Sequence, residues 1–80
     1  MKTLRIEIRE KETGKILAHG RVRHDATKLE RRRKARVLHD RTTWQEVDTY
    51  VVERLFEDGA PTEDTLEAKY CSTEINEIVL

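Results

Sequence analysis

With 16 basic and 16 acidic side chains among 80 residues, the chain is one domain, 1–80, whose core must come from a hydrophobic set of 36% against 40% charged residues. So short a chain buries only about 60% of its unfolded surface, so its stability margin is thin and a homodimer is one way to add core. No long apolar run offers a membrane span or secretory core, and the single Cys71 excludes an intrachain disulfide or cysteine-based zinc framework, which points to a reducing, cytoplasmic setting.

The formal net charge is zero, but residues 1–20 carry +2, residues 21–41 carry +6 and residues 42–80 carry −8. A neutral total therefore hides a strong charge asymmetry along the chain.

Leu4, Ile6 and Ile8 alternate with Arg5, Glu7 and Arg9, the period-two pattern of a half-buried strand. A turn at Lys11–Gly14 follows, and Ile16, Ala18 and Val22 mark a second strand, giving an antiparallel hairpin. Gly20 on the inner face suggests a bulge, or room for a helix side chain such as Trp44. Residues 24–33 have good helix propensity but a poor apolar face, with Leu29 nearly alone, and read as a mobile cationic excursion. Lys34–His39 either continues a short helix capped by Asp25 or forms a third strand with Ala35 and Val37 inward; the strand is favoured because it leaves Arg41–Thr43 as a short connection.

The stretch Thr43–Gly59 reads as the main helix, about 44–57. Thr43 and Glu46 form a capping-box pattern, Gly59 offers a C-terminal stop and Pro61 opposes a restart. At about 100° per residue, Trp44, Val47, Tyr50, Val51 and Leu55 share one side, and Val52 and Phe56 widen the arc past half the circumference. Leu66, Ala68 and Tyr70 then suggest another strand, and Ile75, Ile78 and Leu80 close the chain. The expected fold is α+β, a small antiparallel sheet of three to five strands packed against this one helix.

The densest charge cluster is Arg31, Arg32, Arg33 and Lys34, with Lys28, Arg36, Arg21 and Arg23 nearby. It suits phosphate contact through counterion release, a solvated face balanced by the acidic half, or an acidic protein partner. Residues 21–41 hold no aromatic side chain for base stacking, and no RNP-type, KH-type or zinc-finger spacing occurs. Glu46, Glu53, Glu57, Asp58, Glu63 and Asp64 form the second candidate, a row of carboxylates suited to a cationic groove. Val52 and Phe56 are the candidate apolar interface, for a partner or a dimer.

His19, His24 and His39 fit no recognised metal-ligand spacing, and no nucleophile, base and orienting group are placed together. No metal, cofactor or catalytic residue is assigned, and the chain is expected to be a binding protein rather than an enzyme.

In its opening hairpin, Thr3–Arg9 with Lys15–Ala18, and in Lys34–Leu38 running into Thr43–Val47, the layout resembles small phage-encoded inhibitor proteins of the anti-CRISPR kind. The likeness is one of size, single-domain economy and charge contrast, with no diagnostic motif. It implies a non-enzymatic protein that docks on a nucleic-acid-handling protein complex and blocks it. The expectation is therefore a stoichiometric inhibitor using segregated charge patches. The alternatives are a nucleic-acid-binding module using residues 28–36 and a dimerising accessory protein.

Overall fold

A computed structural model of the chain describes residues 1–62, 68–71, 74 and 77. The elements run β1 (Lys2–Glu10), β2 (Ile16–Arg23), α1 (Lys28–Asp40), a short 3-10 turn at Thr43–Gln45, β3 (Thr49–Glu57), β4 (Ala60–Pro61) and β5 (Ala68–Cys71). The fold is α+β, an antiparallel sheet of five strands and one helix among the described residues.

β1 is central, pairing antiparallel with β2 on one side and with β3 on the other. β4 and β5 both pair with β3, at Phe56–Glu57 and at Tyr50–Glu53 respectively. The β1–β2 hairpin forms where its alternation predicts it, turning through Gly14 at φ 75°. A register shift between Ile8 and Arg9 makes a bulge, so Ala18, Gly20 and Val22 stay on the helix side while Ile16 falls opposite Arg9.

The helix is not at 44–57. Residues 49–57 are the strand β3, and residues 28–40, expected as a cationic excursion and a third strand, form α1. Both segments offer a Thr-x-x-Glu pattern, but the capping box closes at Thr27 and Glu30. There the Thr27 hydroxyl accepts from the Glu30 N–H and the Glu30 carboxylate accepts from the Thr27 N–H. Glu46 instead sits in the left-handed region, φ 53°. Asp58 and Gly59, at φ 52° and 85°, make the two-residue turn between β3 and β4. Positive φ at both central positions is the primed turn that matches strand twist, so Gly59 ends a strand and not a helix.

β3 defeats the wheel argument because it is buried on both faces. Val51 points to the helix side and Val52 to the other, and neither is exposed. A strand apolar on both faces has no clean alternation and projects onto a helical wheel as an over-wide arc. β-branched Val51 and Val52 beside Tyr50 favour the pleated chain. The helix, in turn, buries only Ala35 and Leu38, against Ile6, Ile8 and Val51, with Ala18, Val22 and Tyr70 at the margin. Gly20 does leave room for a helix, but for Lys34 and Leu38 of α1. A Cβ there would lie 2.7 Å from Lys34 Cε and 3.4 Å from the Leu38 methyls. Trp44, expected in the core, is 77% exposed.

Candidate anion-binding face

Because α1 covers only one side of the sheet, strand alternation fixes what the other side presents. The register aligns Thr3, Arg5, Glu7 and Arg9 of β1 with Arg23, Arg21 and His19 of β2, and with Phe56, Arg54, Val52 and Tyr50 of β3. No other helix lies over this open face among the described residues. Five guanidinium groups thus share a surface with the carboxylate of Glu7, with Asp25 beside Arg23 and Asp58 at the end near Phe56.

Glu7 is only 1% exposed, and its two oxygens are divided between neighbours two residues away on the same strand. Arg9 donates Nε and Nη2 to Oε1 at 2.9 and 2.6 Å. On the other side Arg5 Nε lies 2.9 Å from Oε2, a charge contact without hydrogen-bond alignment. Each arginine keeps about a quarter of its side chain in solvent. A buried ion pair is weak evidence of stability, because desolvation offsets attraction, but it fixes geometry. Glu7 therefore acts as a submerged anchor that holds two arginines against the sheet.

Arg5 and Arg54 also lie over the Phe56 ring, at 5.4 and 5.5 Å from its centre. Arg23 pairs with Asp25 at 3.0 Å, both well exposed, and the Arg23 guanidinium holds the Asp25 carboxyl below its ordinary range. Arg21 and His19 are exposed on the same face.

The basic cluster expected over residues 21–36 is split by the fold. Arg21 and Arg23 belong to the open face. Arg31 turns inward, its Nε 2.5 Å from the buried Glu53 and its Nη1 donating to the Ala26 carbonyl at 2.7 Å. Arg32 stacks 3.6 Å from the Tyr70 ring centre and donates to Glu74 at 2.8 Å. Lys34 lies along Gly20, and Arg36 approaches Asp40 at 3.6 Å. Lys28 and Arg33 face solvent. Arg31 and Arg32 of the helix are thus paired with carboxylates of the acidic half of the same chain.

The expected acidic row does not form. Glu53 is buried against Arg31, Glu57 is exposed at the end of β3, and Asp58 takes the Met1 amino group at 2.5 Å. That amino group lowers the Asp58 carboxyl pKa. Glu46 lies at the opposite end, where Glu10, Glu12, Val47 and Asp48 complete the lining of a hollow of about 230 Å³. Glu63 and Asp64 lie outside the described residues, as do Leu66, Ile75, Ile78 and Leu80. Val52 is fully buried and offers no interface, whereas Phe56 is half-buried at the edge of the open face. Among the described residues no three His, Cys, Asp or Glu side chains gather as a metal site.

Sequence reasoning missed Arg5, Arg9 and Arg54 as part of a site. The signal was present in Arg5-Ile-Glu-Ile-Arg9, where arginines flank a carboxylate at strand spacing. Set against protein-family models, curated proteins and solved structures, the chain matches none.

Proposed function

We propose that the chain is a non-enzymatic binding protein whose working surface is the open sheet face, and that this face takes a polyanion. The observation that carries this reading is the anchored arginine set. Arg5 and Arg9 are held by a buried Glu7, and Arg21, Arg23 and Arg54 extend the same cationic surface. A flat array of oriented guanidiniums matches phosphate or carboxylate oxygens while losing little side-chain freedom on contact.

The test is a titration of labelled DNA, RNA and heparin at low and near-physiological salt. Binding should weaken steeply with salt, and R9A/R21A/R23A should flatten the log–log salt slope by about 2–3 if each arginine meets one phosphate. The helix pair K28A/R33A, exposed and off this face, should change affinity far less. Equal loss from both variants would move the site to the helix, and no polyanion binding at low salt would end the reading.

A second reading, a stoichiometric inhibitor docking on a nucleic-acid-handling protein complex, draws on the opposite end of the molecule. There Trp44 is 77% exposed on the loop that also carries Glu46, Val47 and Asp48. Exposed tryptophan beside carboxylates suits a protein surface rich in lysine and arginine. That reading gains if polyanions fail to bind while a purified partner complex is captured and W44A abolishes the capture.

A further inference from the structure

At the end of the open face where β1 begins, the arginine surface becomes concave. A hollow of about 260 Å³ is lined by Thr3, Arg5, Arg21, Phe56, Asp58 and Gly59, together with Met1. That volume falls just below the roughly 300–1,000 Å³ of sites for drug-sized ligands, so it admits one planar heterocycle rather than a whole cofactor.

Its lining sorts by chemistry. Asp58, the one carboxylate present, is already occupied by the Met1 amino group. Arg5 and Arg21 supply the remaining charge, and among the described residues Arg21 has no ion-pair partner. Phe56 supplies an aromatic surface within reach of two guanidiniums, and Gly59 adds no side chain to fill the space. An aromatic ring in a cationic hollow, continuous with a row of arginines, has two recognition modes at once. The arginines read backbone charge and the ring reads a π-face.

We infer that this hollow takes one unpaired nucleobase, stacked with Phe56, while Arg5 and Arg21 hold the adjoining phosphates. The inference rests on the polyanion reading above and narrows it to single-stranded nucleic acid. In a duplex the base faces are stacked within the helix, so a duplex engages the arginines alone. Single strands bring both groups to the same place.

The test compares a labelled single strand of about 12 nucleotides, a length within the range small β domains cover, with the duplex of the same sequence. Wild-type protein should bind the single strand at least tenfold more tightly. F56L keeps an apolar side chain on the strand, so folding is preserved, and it should weaken single-strand binding at least about fivefold, the lower end of base–aromatic stacking. Duplex binding by F56L should be unchanged, and F56W should restore the single-strand affinity.

Equal affinity for both forms, with F56L altering neither, overturns the base site while leaving the polyanion reading intact. Failure to bind nucleic acid or heparin overturns both. A loss by F56L that is the same for single strand and duplex also overturns the base site, since it marks a change in the arginine surface and not in stacking.

Discussion

Tyr70 shows how one side chain reports the packing around it. It extends from β5 toward the helix, with the Arg32 guanidinium 3.6 Å from its ring centre and no hydrogen-bond partner for its buried hydroxyl among the described residues. Burial raises the phenol well above its usual range, and the nearby Glu53 carboxylate adds to this, outweighing Arg32 and Arg31. In the unfolded chain the phenol ionises near pH 10. A folded-state pKa above the unfolded one means that this contribution to stability is complete below about pH 10 and is lost as pH rises beyond it. In Y50F protein, absorbance titration at alkaline pH should therefore leave Tyr70 protonated until the chain unfolds. Ionisation of Tyr70 near pH 10 in folded protein would contradict the burial.

Glu7 makes the complementary point about residues. Its sequence position, alternating with Ile6 and Ile8, is that of a solvent-facing strand residue, and yet it is as buried as they are. The alternation correctly separates the two faces, but it does not say what lies over the polar one. Two arginines, at i−2 and i+2, close over the carboxylate and remove it from water. Long cationic side chains cover what lies beneath them while keeping their heads wet.

Among the elements, α1 depends most on its ends. Its apolar stripe is Ala35 and Leu38, and Leu29 and Val37 face outward. Ion pairs from Arg31 to Glu53 and Arg32 to Glu74 tie it to the rest of the chain. With so little burial, the capping box at Thr27 and Glu30 carries an unusual share of its stability. T27A should cost about 1 kcal/mol in denaturant unfolding, the usual loss when a threonine cap becomes alanine. No change in midpoint would mean that the tertiary ion pairs and the packing of Ala35 and Leu38 hold the helix without the cap.

The hairpin was legible because Leu4, Ile6 and Ile8 bury one face and turn chemistry at Gly14 supports it. α1 was not, because its buried apolar residues are only Ala35 and Leu38, set among charged side chains such as Arg31 and Lys34 that also turn toward the sheet. β3 was not, because Val51 and Val52 are buried on opposite faces and mimic a broad helical arc. The Asp58–Gly59 pair was the local signal against a helix there, since that dipeptide is a strong hairpin marker. Of the candidate site, Arg21, Arg23 and Phe56 were in hand, but grouping them with Arg5 and Arg9 requires the β1 pairings on both sides.

At the scale of the whole molecule, charge separated in sequence is partly recombined in space. The cationic helix meets carboxylates of the acidic half, at Glu53 and Glu74. Outside those pairs stand Arg21 on the open sheet face, which has no ion-pair partner among the described residues, and the carboxylate-lined hollow of Glu10, Glu12, Glu46 and Asp48 at the hairpin end. The polarity useful for binding is therefore that of the folded object, and it runs differently from the polarity of the chain.

The exposure of Trp44 has a practical consequence. It is the chain's one tryptophan, and its indole already stands in water in the native state. Its emission maximum should therefore lie at long wavelength before denaturant is added and shift little as the backbone unfolds. Far-ultraviolet circular dichroism should show a transition that tryptophan fluorescence nearly misses; a large red shift on unfolding would mean that the indole is covered. The same residue that is nearly silent toward unfolding is then a clean optical probe for anything that settles on the acidic end.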